Sequence, residues 1–226
     1  MRPLPLDAFA PSRPVPAVGT GLSASATPKR ILDLACVLVS APVVVPLLAF
    51  LWLLVRRDGG PGFFRQTRIG RDGRQFSMWK MRSMVPDAEA HLSRLLLLDD
   101  KLAWEWQHRQ KLDNDPRLTP LGRFLRRYSL DELPQLWNVW RGEMSLIGPR
   151  PFLPAQKALY DAVPGSEAYY RVRPGLGGPW QVGERHRGAF AARVRYDRTY
   201  VETMSLGGDV LLIARSALRL VVPGGS

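Results

Sequence analysis

Two adjacent carboxylates, Asp131 and Glu132, are the side chains of this sequence best suited to chemistry on phosphate. They follow the paired cations Arg126 and Arg127, in a chain that holds 32 Lys and Arg against 20 Asp and Glu. An ionised carboxylate can bind a hard cation such as Mg²⁺, or it can attack phosphorus as a nucleophile. The acid pair is therefore the first candidate for a catalytic site.

Helix capping is the alternative interpretation of the acid pair. Ser129 and Glu132 have the spacing of a capping box, in which each side chain satisfies the backbone N–H of the other residue. Pro134 disfavours that register, because a proline beyond the first turn costs a helical hydrogen bond, and it fits better as the first helical residue. In both registers the helix dipole and the nearby arginines favour ionised carboxylates. Spacing by itself favours the cap.

Cationic side chains around the acid pair change that balance. The segment "GPRP" at 148–151 holds Arg150 in a rigid turn, which suits a guanidinium that binds phosphate. Two neighbouring segments, 80–84 and 113–127, add Lys80, Arg82, Arg117, Arg123 and Arg126. So many cations around two acids indicate a phosphoryl-transfer site rather than a cap.

The composition limits the classes of partner and of metal site. A formal net charge of +12 suits an anionic partner, and nucleic acid, an anionic membrane surface and phosphorylated small molecules all qualify. The single cysteine, Cys36, excludes an internal disulfide framework and a multi-cysteine metal site. The three histidines are scattered, so a histidine-based metal site is not expected: His91, His108 and His186.

Two N-terminal segments precede the region of the acid pair. Residues 1–28 are rich in Pro, Ala and Ser without an apolar period, which predicts a disordered tail. From Leu34 to Val55 the chain is apolar apart from Ser40 and two prolines, a length that spans the core of a bilayer as a helix. We expect this segment to lie in a membrane rather than in a soluble core.

Pro42 and Pro46 argue against a simple membrane span. Each removes a backbone donor in the middle of the apolar run, so a helix break is expected there. Both flanks of the run, 29–30 and 56–57, are basic, which places both ends on one side of the membrane. Residues 29–57 are therefore predicted to form a re-entrant helix–break–helix hairpin, and a kinked full span remains the alternative. Asp33 would lie at interfacial depth and pair with a cation such as Arg30.

The remaining sequence predicts an α+β domain that is mostly helical. Turn signals between short apolar runs indicate a small β-hairpin within 59–84. Helices are expected at 86–112, 119–127, 133–139, 152–170 and 188–222. The segment 171–185 is rich in Gly and Pro and is predicted to be a loop.

A long ordered set of segments resembles one known family. They are "KRILDL", "FFRQTRIG", "KMRSM", "DPRLTPLGRFLRRYSLDELPQLWNVWRGEMSLIGPRP" and "RPGLGGPWQV". The chain resembles the bacterial monotopic phosphoglycosyl transferases, the polyprenyl-phosphate sugar-1-phosphate transferases that begin glycan assembly. The resemblance runs from Lys29 to about Val222.

The resemblance implies an architecture. A tail at 1–28 would precede a re-entrant hairpin at 29–57 in the bacterial inner membrane, and residues 58–226 would form a catalytic domain facing the cytoplasm. The family's helix-breaking proline falls on Pro46, and Pro42 shares the break. A substrate loop falls on Arg173, Pro174, Gly175 and Gln181, and the chain departs from the family pattern nearby, at Gly177, Gly183 and Glu184.

The resemblance also implies a two-step reaction. Asp131 would attack the β-phosphate of a UDP-hexose and release UMP, and undecaprenyl phosphate would then take the sugar phosphate from the aspartyl adduct. Mg²⁺ held by Asp131 would neutralise phosphate charge, and Glu132 would orient Asp131 or assist at the metal. Arg126 would bind the lipid phosphate and Arg150 a phosphate of the nucleotide sugar. Further phosphate-binding candidates are Lys80, Arg82 and Arg117.

Two other functional classes remain open at this stage. One is a membrane-anchored binder of an anionic polymer, and the other is an inactive scaffold of the same fold. The clustering of cations around two acids disfavours the first, so we expect no nucleic acid partner. Inner-membrane lipid and downstream glycosyltransferases are the expected partners besides the substrates. The helical insert at 86–112 resembles that of exopolysaccharide-initiating members that transfer glucose or galactose phosphate.

Overall fold

The fold is mostly helical with two small sheets, which confirms the expected fold class at that level. The computed structural model describes residues 26–109, 112, 114–182 and 190–221. Its strands are β1 Phe63–Ile69, β2 Gln75–Met81, β3 Ser145–Ile147 and β4 Gly175–Gly177. Its helices are α1 Ala26–Val55, α2 Ala88–Leu98, α3 Asp100–Arg109, α4 Pro120–Arg127, α5 Gln135–Arg141, α6 Lys157–Asp161, α7 Pro179–Val182, α8 Arg193–Thr203 and α9 Leu206–Val221. Residues 1–25 of the predicted tail lie outside the described residues.

Helix α1 continues through Pro42 and Pro46, where a break was expected. Because these prolines are four residues apart, the two missing N–H groups affect adjoining turns on one side of the helix. The remaining backbone bonds carry the helix across this site, so the helix–break–helix hairpin is not confirmed. The helix is long and apolar enough to cross a membrane, and most of its apolar stretch is not buried in the protein.

Charged side chains tie the N-terminal end of α1 to the rest of the protein. Lys29 donates to the Asp209 carboxylate at 2.6 Å, and Arg30 donates to the carbonyls of Val139 at 2.5 Å and Trp140 at 2.7 Å. Those carbonyls end α5, where the helix dipole favours a cation.

Asp33 is buried beside this contact. It accepts from the backbone N–H of Leu146 at 2.9 Å and from the Ser145 hydroxyl at 3.1 Å. The predicted pairing of Asp33 with Arg30 is therefore wrong, because strand β3 supplies nearer donors.

The C-terminal end of α1 packs on the same domain as its N-terminal end. Leu51 and Val55 are buried against Met81 of β2 and Leu125 of α4. Between the two ends, Val39 and Val43 are exposed. Both ends of this 30-residue helix therefore contact one domain, whereas Val39 and Val43 in its middle stay exposed.

The predicted β-hairpin is confirmed. Strands β1 and β2 pair antiparallel from Phe63↔Met81 to Ile69↔Gln75, and Asp72 and Gly73 turn the chain with positive φ. The buried Asn138 of α5 holds the hairpin in place. Its amide oxygen accepts from the Trp79 N–H at 3.0 Å, and its amide nitrogen donates to the Ser77 carbonyl at 2.8 Å.

The predicted loop at 171–185 contains regular structure. Strand β4 pairs parallel with β3, and α7 follows it. The chains cross closely enough that a Cβ on Gly175 would lie 2.1 Å from the Gly148 nitrogen. The two strands lie about thirty residues apart in sequence, and pairing over that separation leaves no local pattern. The prediction of a loop therefore followed the local Gly and Pro content alone.

Three predicted helices are interrupted or shortened. The segment 86–112 forms α2 and α3, which are separated at Asp99, where the backbone is extended. The segment 152–170 forms the short α6 and two 3₁₀ helices, at Pro154–Gln156 and Ser166–Arg171. The described part of 188–222 forms a 3₁₀ helix at Phe190–Ala192, then α8 and α9, and the two residues between α8 and α9 are not helical. The two helices beside the acid pair, α4 and α5, agree with the prediction to within two residues.

Candidate active site

The acid pair lies on a tight connection between α4 and α5. Ser129 has a positive φ of 55°, and Leu130–Glu132 form a 3₁₀ helix that ends just before Pro134 and α5. The Ser129 side chain makes no cap hydrogen bond, and the Glu132 carboxylate bonds cations. The capping-box interpretation is therefore wrong.

Glu132 is held by two cations from different parts of the chain. Arg150 donates to its carboxylate at 2.5 and 3.4 Å, and Lys80 of β2 donates at 3.3 Å. The charge of Glu132 raises the pKa of Arg150, whereas burial lowers the pKa of Lys80. Glu132 thus fixes both cations beside Asp131, which brings together four of the predicted site residues.

Asp131 is buried, at 5% exposure, but it makes no hydrogen bond to any residue that the structure describes. Burial raises its pKa above the usual aspartate value and Glu132 adds to that effect, while Lys80, Arg126 and Arg150 oppose it. The expectation that the surroundings favour the ionised form is therefore wrong in direction, since burial outweighs the cations. Its oxygens are left available for a ligand.

Arg126 lies at the exposed end of α4. Its Nε donates to the Ser83 hydroxyl at 2.9 Å, and its charge lowers the pKa of Asp131. An exposed guanidinium beside a buried carboxylate can meet a phosphate that arrives from outside. The role of Arg126 in binding the lipid phosphate stays a prediction.

Arg68 is a further cation that the sequence interpretation missed. Its donors reach the Pro151 carbonyl at 3.3 Å and the Gln66 side chain at 2.5 Å. Burial lowers the pKa of Arg68 to about 9, and the charges of Arg150 and Arg193 act in the same direction. The signal was the alternation of strand β1, which places residues 64, 66 and 68 on the hairpin face of Lys80.

Among the described residues, positive charge exceeds negative charge at this site. Four cations (Lys80, Arg68, Arg126 and Arg150) act on two carboxylates, and all but the exposed Arg126 are partly buried. Partly buried positive charge in excess is costly unless an anion joins it. The site therefore suits an anionic substrate such as a phosphate or diphosphate.

Arg193 is a second functional candidate that the sequence did not reveal. It is buried, at 3% exposure, and it donates to the backbone carbonyl of Arg150 and, at 3.3 Å, to the Asp197 carboxylate. Its guanidinium lies 5.3–5.7 Å from four ring centres, those of Phe152, Tyr160, Trp180 and Phe190. Only the tertiary structure brings α8 to the 148–151 turn.

Two predicted phosphate-binding arginines are occupied elsewhere. Arg82 bonds the Asp58 carboxylate and the Val55 carbonyl, and it fastens the C-terminal end of α1. Arg117 forms a buried pair with Asp115 at 2.5 and 2.7 Å. A phosphate role for either arginine stays a prediction that these contacts do not favour.

The predicted substrate-loop residues are divided between two places. Gly175 supports the 148–151 turn by donating its N–H to the Pro149 carbonyl at 2.8 Å, whereas the Pro174 carbonyl accepts from the Ser145 N–H of β3 at 2.9 Å. Gln181 lines a cavity of about 260 Å³ that also includes Glu132. Arg173 instead donates to the Gly142 carbonyl at 2.8 Å and does not line that cavity. Residues 183 and 184, which depart from the family pattern, lie outside the described residues.

The donor set fits Mg²⁺ only together with a substrate. Within the described residues no group of three His, Cys, Asp or Glu side chains is placed to hold a metal ion. Mg²⁺ is commonly bound through one or two carboxylates and the phosphate oxygens of the substrate. Asp131 offers one carboxylate to which no donor of the described part of the chain bonds, so it can supply the protein ligand in that arrangement.

Comparison with known proteins agrees with this geometry. Residues 24–222 match the family model described as "Bacterial sugar transferase". A UDP-galactose-lipid carrier transferase of Erwinia amylovora is 42% identical over 188 residues, which cover 83% of this chain and 39% of that protein. An undecaprenyl-phosphate galactose phosphotransferase of Salmonella typhimurium is 41% identical over 190 residues, which cover 84% and 39%.

A third relative is similar over most of its own length. Exopolysaccharide production protein ExoY of Rhizobium meliloti is 38% identical over 199 residues, which cover 88% of this chain and 87% of that protein. The chain thus spans about two fifths of the first two relatives and most of the third. The family match spans residues 24–222, which include the acid pair and the cations that bind Glu132. The chain therefore belongs to the bacterial sugar transferase family.

Proposed function

We propose that this protein transfers a sugar-1-phosphate from a UDP-sugar to undecaprenyl phosphate and so begins the assembly of an exopolysaccharide or related glycan. The observation that carries the proposal is the buried Asp131, which bonds none of the described residues, beside Glu132, whose carboxylate binds Lys80 and Arg150. The names of the relatives support the substrate classes, a UDP-hexose and a polyprenyl phosphate. We expect glucose or galactose as the sugar.

The first half-reaction takes place at the β-phosphorus of the donor. An Asp131 oxygen forms a bond to that phosphorus while the bond to the UMP oxygen breaks, so UMP leaves with the electron pair. The product is a sugar-phosphoryl aspartate. Lys80 and Arg150 are positioned to stabilise the phosphoryl oxygens as charge develops.

The second half-reaction regenerates the carboxylate. A phosphate oxygen of undecaprenyl phosphate attacks the same phosphorus, and the bond between phosphorus and Asp131 breaks. Arg126, exposed and anchored through Ser83, would bind the incoming lipid phosphate. Asp131 would supply the protein ligand for Mg²⁺, and the charge of the bound ion would lessen the repulsion between the reacting anions.

We propose further that α1 enters the cytoplasmic leaflet of the inner membrane and returns to the same side. The support is that both ends of α1 pack on one domain, through Asp33 and β3 at one end and Leu51 and Val55 at the other. A helix that crossed the bilayer would carry one end away from that domain. The prolines at 42 and 46 weaken the helix at its exposed middle, where a bend is least costly.

Intact-protein mass spectrometry tests the proposed chemistry. Wild-type protein mixed with UDP-glucose or UDP-galactose and Mg²⁺ should gain the mass of a hexose phosphate and release UMP. Asp131→Asn should enter the membrane normally but form no adduct, because an amide is a very poor nucleophile. Glu132→Gln should form adduct slowly, since Lys80 and Arg150 lose their anchor.

A surface variant serves as the control for these measurements. Asp100→Asn removes an exposed carboxylate on α3 and should behave as wild type. An adduct on Asp131→Asn would overturn the mechanism. UMP release without any adduct on the wild-type protein would show direct transfer instead of covalent catalysis.

A further inference from the structure

Two cavities of opposite character meet at one side chain, Trp79. The first, of about 480 Å³, is apolar and lies between α1 and α5, where Ala41, Val45 and Trp137 line it together with Trp79. The second is a groove of about 750 Å³ along the outer face of the β1–β2 hairpin. Trp79 lines both, so the apolar cavity and the polar groove adjoin at its side chain.

The groove is strongly basic. Five arginines line it against two acids, a surplus of three positive charges: Arg65, Arg71, Arg74, Arg141 and Arg173 against Asp72 and Glu143. Arg71 pairs with Asp72 and Arg141 with Glu143, at 3.3 and 3.2 Å. Among the described residues, the other three arginines have no carboxylate partner. One of them, Arg65, lies over the Trp79 ring at 5.1 Å.

Like charges are crowded around Arg173, which lines the groove. Burial lowers the pKa of Arg173, and the charges of Arg30 and Arg71 lower it further. An anion bound in the groove would relieve that repulsion. The groove is separate from the acid pair, because Lys80, Arg126, Asp131, Glu132 and Arg150 do not line it.

We propose that the joined cavities form a binding site for an anionic phospholipid, distinct from the polyprenyl phosphate acceptor. An acyl chain would occupy the apolar cavity between α1 and α5, and the headgroup phosphate would lie in the groove against Arg65 and Arg74. Arginine suits this role because its planar donors match phosphate oxygens. Only an amphipathic anion uses both cavities at once.

A bilayer phospholipid fits these cavities better than the proposed anionic substrates, the UDP-sugar and the polyprenyl phosphate. Trp137 and Trp140, beside the apolar cavity, are 52% and 43% exposed, which is typical of aromatic side chains at the headgroup level. A soluble nucleotide would leave the apolar cavity empty. The acceptor phosphate must reach Asp131, which does not line the groove.

Equilibrium lipid binding tests the proposal without any donor or acceptor substrate. The full chain in neutral detergent is titrated with phosphatidylglycerol or phosphatidylcholine, and complexes are counted by native mass spectrometry. We expect clear preference for phosphatidylglycerol. Arg65→Gln/Arg74→Gln should weaken its binding about thirtyfold, roughly fivefold for each charge removed. The matched control, Arg94→Gln/Arg198→Gln, removes two exposed charges elsewhere and should leave binding unchanged.

Two further measurements test the apolar cavity and the basic groove separately. Ala41→Leu fills the apolar cavity and should weaken phosphatidylglycerol binding, whereas Val43→Leu on the exposed side of α1 should not. Raising the salt concentration should weaken phosphatidylglycerol binding to the wild-type protein and not phosphatidylcholine binding, a measurement that needs no variant.

Three results would overturn the proposal. They are equal affinity for both phospholipids, unchanged binding by the double arginine variant, and displacement of phosphatidylglycerol by UMP or by undecaprenyl phosphate. Displacement would assign the groove to a substrate instead. The proposal rests on a membrane location of α1 but not on the transfer reaction, so its failure would leave the proposed chemistry standing.

Discussion

Arg193 of α8 donates a hydrogen bond to the backbone carbonyl of Arg150, and Arg150 in turn binds the Glu132 carboxylate. The Arg193 guanidinium is held between aromatic rings and Asp197, whose carboxylate also accepts from the Tyr160 hydroxyl at 2.8 Å. The contact fixes the backbone of the 148–151 turn. A residue that touches neither acid thus sets the position of a phosphate-binding cation.

Replacing Arg193 with lysine should slow catalysis while the protein stays folded. Lysine keeps the charge for Asp197, but it cannot bond both Asp197 and the Arg150 carbonyl in the same geometry. Loss of one such bond should lower kcat for UMP release about tenfold, with a smaller change in KM for the UDP-sugar. Steady-state kinetics measure that division. Arg198→Lys, on the exposed side of the same helix, is the control, and an equal effect of both variants would contradict a positioning role.

The acid limb of the donor half-reaction should move in opposite directions in two variants. Burial raises the pKa of Asp131, so the attacking carboxylate is lost at a higher pH than for an ordinary aspartate as the pH falls. Lys80 lowers that pKa and Glu132 raises it. Lys80→Met should therefore move the acid limb to higher pH, and Glu132→Gln should move it to lower pH.

The pH profile of kcat/KM for the UDP-sugar is the appropriate measurement, because it reports the ionisation of the free enzyme. Asp100→Asn should leave the profile unchanged. Shifts of the same sign in both variants would show that a group other than Asp131 controls the limb.

Arg126→Ala should impair the second half-reaction more than the first. Loss of one charge-assisted phosphate contact should raise the KM for undecaprenyl phosphate about tenfold to a hundredfold, while the hexose-phosphate adduct still forms. The neighbouring Arg127→Ala removes an equally exposed charge and should change the KM little. If adduct formation fails in Arg126→Ala, this arginine serves the UDP-sugar instead.

Both ends of α1 should be shielded from the outside of the cell. Single cysteines placed before Lys29 and after Arg57, in a chain with Cys36→Ser, should react with an impermeant thiol reagent only after the cells are opened. Labelling of the first cysteine in intact cells, with the second still shielded, would show a full span and would exclude the re-entrant arrangement.

Gly175→Ala should destabilise the protein, because the new Cβ would meet the Gly148 backbone nitrogen at 2.1 Å. An overpacked contact of this kind typically costs about 1–3 kcal/mol, which corresponds to a fall in Tm of roughly 3–10 °C for a chain of this size. Thermal unfolding in detergent measures the fall. Gly207→Ala has open space around its Cβ and should leave Tm unchanged or slightly higher. Equal Tm values for both variants would contradict the close crossing of the two strands.

The sequence by itself determined the features that local pattern encodes. The apolar run predicted helical structure in 29–57, although a break was expected where α1 is continuous. Turn signals between short apolar runs predicted the hairpin, and the helices on either side of the acid pair were placed to within two residues. The acid pair and its cationic surroundings identified the candidate site. These signals lie within short stretches of chain, where periodicity, turn chemistry and charge are directly readable.

Only the tertiary structure decided which side chains meet and in what state. The pairing of β3 with β4, the anchoring of Asp33 by β3 and the contact from Arg193 to the 148–151 turn join distant segments, and distant contacts leave no local pattern. The raised pKa of Asp131 depends on how deeply it is buried, which overrides the charge of its sequence neighbours. Burial also distinguishes the two arginines. Arg126 is exposed and can meet a substrate phosphate, whereas Arg117 is buried in an ion pair with Asp115. Residue type is a property of the sequence, but desolvation is a property of the packed fold.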